Sequence, residues 1–348
     1  MSVMLKSYFK EHVRSRIRTI VYVTLFAFVF VLNMASDSQT VGAVYLLNQS
    51  AMHYEWVGTR YSTLYLSSLV LVVCCYIVPI MEFSFFKKRR NLDCAYALPI
   101  SRKELCIAHY LTGLIIVFIP YTASYLINTL LMLRTPHAYD FAPLLIHYFL
   151  CLLYGAVMYT VVTFVFQEGN TVGDGIWFIV LWSFAFLILV GAINRIAEEL
   201  TGVWNIIPEV YLGMIWEPID MLTANFQYQV QNIPQNLYKI WYLDGNLCAW
   251  LIAWMVIGIC AFFGLVSFFG KRRMEKTEEI SESWFGFRVL IPFYAIALKI
   301  ILDLNLLGAS WLGVMIFVVL GYTIYRRGFH YKQSDWIMLG ILFVVAIL

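Results

Sequence analysis

Long apolar runs alternate with short polar, charge-bearing stretches along the chain, and that rhythm predicts membrane-spanning helices. A span needs about 20 mostly apolar residues, within roughly 17 to 25. Six runs meet or approach this, at about 19–36, 62–81, 106–133, 143–166, 176–194 and 247–269. Two weaker runs follow at about 289–303 and 306–325, and the last, Trp336–Leu348, holds 13 residues. At about 1.5 Å per residue that tail reaches roughly 20 Å, against a hydrocarbon core of roughly 30 Å. It is expected either to be half-inserted or to belong to an element that continues past Leu348. The expected fold is all-α and polytopic: a six-span core over 1–270, and an extension over 271–348 with two to three further membrane segments.

Composition excludes the alternatives. Hydrophobic residues make up 61% of the 348 and charged residues 13%, where a soluble domain carries about 25% charged. So few charges cannot cover a water-soluble protein of this size. The net charge of +3 gives no reason to expect nucleic acid as a partner. Orientation follows from Lys and Arg alone. With the N-terminus inside, 19 of the 24 fall on inner segments, four (Arg60, Arg134, Arg195, Lys239) fall outside, and Lys299 lies within a span. The first run does not read as a cleaved signal peptide, because a cleavage after Ala35 would put Asn33, not a small residue, at position −3. The seven cysteines form no outer-loop pair, so no disulfide framework is expected.

Three segments do more than span. In the leader, Leu5, Phe9, Val13 and Ile17 recur every four residues, with Lys6, Lys10, Arg14 and Arg18 one position behind. Such paired stripes predict an interfacial helix over 1–18 lying on the inner leaflet. Between the second and third runs, Lys87, Lys88, Arg89 and Arg90 precede Leu98-Pro99-Ile100-Ser101-Arg102-Lys103-Glu104. Pro99 ends any preceding helix, and Ser101 with Glu104 forms a capping box that starts the next. The spacing predicts a short amphipathic helix over about 84–97, a sharp turn, and a long span beginning at Ser101. The outer stretch Arg195–Asn246 carries Trp204, Tyr211, Trp216, Trp241 and Tyr242 as an aromatic rim broken by prolines, fit for short helices at headgroup level.

The segment 84–105 resembles the cytoplasmic coupling segment of ABC type-2 exporter permeases, in which a basic run and a short helix precede Leu-Pro-x-Ser-Arg. Leu98, Pro99, Ser101 and Arg102 match directly, and Lys87–Arg90 by type. The resemblance implies a permease of six spans with an amphipathic leader, paired with a second permease subunit over two ABC ATP-binding subunits. Residues 271–348, opening on Lys271-Arg272-Arg273, resemble the longer Gram-positive branch associated with GntR-type regulators. The other inner loop, Glu168-Gly169-Asn170 and onward to Gly175, lacks the Lys and Ser/Thr of a P-loop. It reads as a turn that could give a second ATPase contact.

No G-x-x-x-x-G-K-[ST] occurs, so ATP hydrolysis is expected on a separate subunit. No catalytic constellation is found, and a cofactor or a resident metal is not expected. The six histidines, at 12, 53, 109, 137, 147 and 330, show no ligand spacing. Lys299 is the intramembrane charge, with Glu82 at a span's inner end; a charge in a span marks a candidate site, or a stem that snorkels to the interface. The resemblance implies an exporter in the cell membrane, a bacterial plasma membrane, moving a hydrophobic or amphipathic substrate such as a peptide antibiotic or lipid-like molecule. The competing reading is a secondary transporter or channel without an ATPase. That reading predicts inverted repeats and broken helices with polar midplane residues; the sequence displays no internal repeat, and its spans contain few ionisable groups.

Overall fold

The computed structural model describes residues 3–37, 46–48, 53–55, 62–132, 141–202, 214–223, 245–271, 277–281, 283–302 and 310–347. Ten α-helices are assigned among the described residues: α1 (Val3–Asp37), α2 (Ser62–Phe83), α3 (Arg89–Tyr96), α4 (Arg102–Met132), α5 (Phe141–Glu168), α6 (Val172–Thr201), α7 (Gly245–Lys271), α8 (Phe287–Leu302), α9 (Ser310–Arg326) and α10 (Gln333–Ile347). A 3-10 turn (Ser84–Lys87) joins α2 to α3, and 217–223 form a further short helix. The fold is therefore helical, apart from one antiparallel pair, β1 (Leu46–Asn48) and β2 (His53–Glu55), with Leu47 opposite Tyr54. Among the described residues, six helices are long and apolar enough to cross a membrane, and they match the six expected runs. The extension supplies α8, α9 and α10. At 16, 17 and 15 residues they reach only about 22–26 Å each.

The chain divides into two compact units. The first holds Met1–Glu82, Pro99–Thr160 and Pro218–Ala261; the second holds Phe83–Leu98, Val161–Glu217 and Phe262–Leu348. Each is thus assembled from separated stretches of chain.

In the first unit α1 packs along α4. Its buried residues include Val31, Leu71, Tyr121, Tyr159 and Trp254. Helices in lipid gain little from hydrophobicity against one another, so close backbone approach and buried hydrogen bonds hold them. Gly113 on α4 leaves room for the Tyr159 side chain, whose hydroxyl would lie 1.8 Å from an added Cβ. Ser68 and Thr223 share a hydrogen bond of 2.8 Å, and Tyr110 and Thr160 one of 2.7 Å. Much of α1 keeps Val21, Leu25, Phe26 and Val29 exposed, as a lipid-facing helix would.

The leader is continuous with the first span. It is no separate element: one helix runs from Val3 through the first span to Asp37. The basic stripe is exposed, yet Ile17 of the apolar stripe is exposed as well. Leu5 of that stripe is buried, and beside it Tyr8, His12 and Arg16 turn towards His109 and Glu82, because the buried carboxylate of Glu82 requires polar partners.

In the second unit α8 packs on α6, α9 and α10. Phe178 meets Phe287 edge-on at 4.9 Å between centroids. Arg326 grips Asp335 with both ends of its guanidinium, at 2.6 and 2.8 Å, tying α9 to the first turn of α10.

Candidate functional site

The basic segment after α2 is built from aromatic anchors outward. Phe83 and Phe86 are buried and face Phe269 at 6.4 and 5.0 Å. With those rings fixed, the 3-10 turn swings Lys87 inward. Its side chain is 2% exposed; Nζ donates to the Phe166 carbonyl at 2.8 Å and to the Gly169 carbonyl, 4.4 Å from the Phe166 ring. Those carbonyls belong to the C-terminal end of α5, where unpaired oxygens carry partial negative charge. Lys87 thus caps α5 and is not part of an exposed basic run.

Lys88 is extended (φ −114°, ψ 124°) and breaks the chain. The single helix expected over 84–97 is therefore two elements, the turn and α3, because burying Phe86 and Lys87 demands a tighter winding than α3 can continue. Lys88, Arg89 and Arg90 are exposed. Three cations at a helix N-terminus oppose its dipole, and the segment 277–279 offsets them. The Arg89 backbone N–H donates to the Glu278 carboxylate at 3.3 Å, Arg89 Nε donates to the Thr277 carbonyl at 2.9 Å, and the Glu279 carboxylate lies 3.7 Å from the guanidinium. Glu278 holds this position at φ 72°, a left-handed conformation uncommon for a residue with a side chain.

The loop after α5 is packed from the same side of the sequence. The buried Glu168 accepts from Ser281 at its carbonyl (2.8 Å) and from Ser283 at its carboxylate. Asn170 accepts from the Glu278 N–H at 3.3 Å. Thr171 caps α6 by accepting from the Asp174 N–H at 3.1 Å, and Arg327 reaches Asp174 at 3.6 Å. A Cβ on Gly169 would lie 2.5 Å from the Gly175 nitrogen, so only glycine permits this turn. Glu168 and Asn170 are therefore engaged by the extension and Gly169 by Lys87, with carbonyls facing that ammonium rather than N–H groups arrayed for a phosphate.

The expected capping box forms at the start of α4. Ser101 N–H donates to the Glu104 carboxylate at 3.2 Å, and Glu104 N–H to Ser101 Oγ at 3.3 Å. Leu98, Pro99 and Ser101 are exposed, and Arg102 half-buried. Lys299 stands in the last turn of α8, half-buried, where a cation suits the helix dipole. Of the aromatic rim, Trp216 meets Phe184 at 6.3 Å; Trp204, Tyr211, Trp241 and Tyr242 lie outside the described residues.

Residues 56–216 match the family described as ABC-2 family transporter protein. The match supports an ABC-2 type permease. It covers just under half of the chain, from ahead of α2 to beyond the end of α6, and so contains both the basic segment and the 168–170 loop. The serines and glutamates that engage those loops lie beyond it, in the extension. No curated protein and no solved structure matches the chain. An ABC-2 permease is a membrane transport subunit that is not itself the ATPase.

Proposed function

We propose that the chain is the transmembrane subunit of an ABC exporter in a bacterial plasma membrane, with its N-terminus in the cytoplasm. It works with a second permease subunit, identical or related, over two separate ATP-binding subunits, in the branch associated with GntR-type regulators. The substrate is hydrophobic or amphipathic, a peptide antibiotic or a lipid-like molecule, since apolar spans and an aromatic outer rim suit such a molecule and few ionisable groups line the spans.

The observation that carries this reading is the build of 84–105. A lever needs a fixed base and an accessible tip. Phe86 and Lys87 are buried at the base, while Lys88, Arg89, Arg90, Leu98 and Pro99 are exposed beyond it. Lys87 joins that base to Glu168–Asn170, so the second loop serves as the seat of the lever. Arg102 can meet a partner carboxylate with a bidentate fork that Lys cannot reproduce. Pull-down of the ATP-binding subunit, with a transport or resistance assay and abundance measured in parallel, tests it. Arg102→Glu and Leu98→Asp should leave abundance near normal and abolish association or transport. Full association and transport in both variants would reduce the segment to a topogenic loop.

A further inference from the structure

Glu82, fully buried at the inner end of α2, is where three helices of the first unit meet. From α1, His12 Nε2 lies 2.9 Å from Glu82 Oε2; from α4, His109 Nδ1 lies 3.4 Å from the same oxygen. The other oxygen, Oε1, faces Arg16 Nε at 2.8 Å. The Tyr8 hydroxyl lies 3.0 Å from His109 Nε2. Arg16 engages Oε1 only, which leaves Oε2 facing two imidazole nitrogens, one of them on a ring backed by the Tyr8 hydroxyl. When His109 gives its Nε2 proton to Tyr8, its Nδ1 lone pair points at an anionic oxygen, an arrangement that a cation between them would resolve. The three ligand atoms lie within 4.8 Å of one another. Bonds of about 2.0–2.2 Å in a tetrahedral site put neighbouring ligand atoms about 3.3 Å apart; the two imidazole nitrogens lie 2.9 and 3.4 Å from the carboxylate oxygen. Two imidazoles and a carboxylate suit a borderline divalent ion rather than calcium or magnesium.

We propose that His12, Glu82 and His109 bind one divalent transition-metal ion of the zinc class, with Tyr8 orienting His109 from behind, and that the ion fastens the leader half of α1 to α2 and α4. Arg16 holds Glu82 so that Oε2 alone faces the imidazoles. His12 keeps 13% of its side chain exposed, which provides the entry path. The ligands come from positions 12, 82 and 109, so no spacing in the sequence marks them.

The test uses the purified full-length chain, stripped with chelator, reloaded with Zn2+ or Co2+, desalted and assayed by elemental analysis. Wild type should retain one ion per chain, show a tetrahedral Co2+ absorption spectrum, and unfold at a higher temperature when loaded. His12→Ala and His109→Ala should lose the ion, and His330→Ala should keep it. Tyr8→Phe, which removes only a hydroxyl, should weaken affinity about ten- to a hundredfold. His109→Cys keeps a ligand and should take up Cd2+, which separates loss of the site from loss of the fold. A wild-type chain that holds no Zn2+ at micromolar free metal, or histidine variants that hold it as well as wild type, would overturn the proposal.

Discussion

Lys87 donates to the carbonyl oxygen of Phe166 at 2.8 Å, so the first cation of the basic run faces inward while the next three face out. One ammonium thereby joins the 3-10 turn ahead of α3 to the end of α5, and the exposed α3 starts from a fixed point. Replacing Lys87 by Met keeps the stem and removes the donor, leaving the Phe166 and Gly169 carbonyls without it. A loss of about 2 kcal/mol is expected, read as a lowered unfolding midpoint of the detergent-solubilised chain. Lys88→Met, at an exposed position, should leave the midpoint unchanged.

The close approach at Gly113 gives a packing test. Gly113→Ala sets a methyl group against the Tyr159 hydroxyl and should cost about 1–3 kcal/mol. Adding Tyr159→Ala to that variant should recover part of the loss relative to the sum of the single changes. A purely additive pair in thermal unfolding would mean that the two helices do not meet there.

Glu278 supplies the negative charge that the start of α3 lacks. Glu278→Lys places a fourth cation beside Lys88, Arg89 and Arg90, and the α3 amides should exchange faster with solvent while α5 and α6 stay protected. Hydrogen exchange followed by mass spectrometry reads this directly. Unchanged protection across 89–96 would show that the carboxylate is not the cap.

What could be read from the sequence is what is local. The Ser101–Glu104 box and the stop at Pro99 depend on residues within a few positions of one another, and the spans depend on runs of one residue class. Lys87 was legible only as part of a basic run, since its partners lie 79 and 82 residues away. Glu278 at the start of α3 and Ser281 and Ser283 on Glu168 were invisible for the same reason. In the leader, Tyr8, His12 and Arg16 share the four-residue spacing of Leu5, Phe9, Val13 and Ile17, and their partners Glu82 and His109 lie far along the chain, 70 positions from His12 and 101 from Tyr8.

Sidedness rests on the Lys and Arg distribution. Cysteine introduced at Asn225 or Asn232 should react with an impermeant thiol reagent applied to intact cells, and cysteine at Asn91 should react only after the membrane is opened. The reverse pattern would invert the topology.

The most direct measurement is photo-crosslinking from position Arg90, in the exposed part of α3, with Ile316 on α9 as the lipid-exposed control. Membranes holding the chain with its ATP-binding subunit should yield a crosslink from position 90 to that subunit, changing in intensity with ATP, and none from position 316. Absence of the crosslink while the subunit co-purifies, or equal crosslinking from both positions, would contradict the assignment of 84–105 as the place where the ATPase acts.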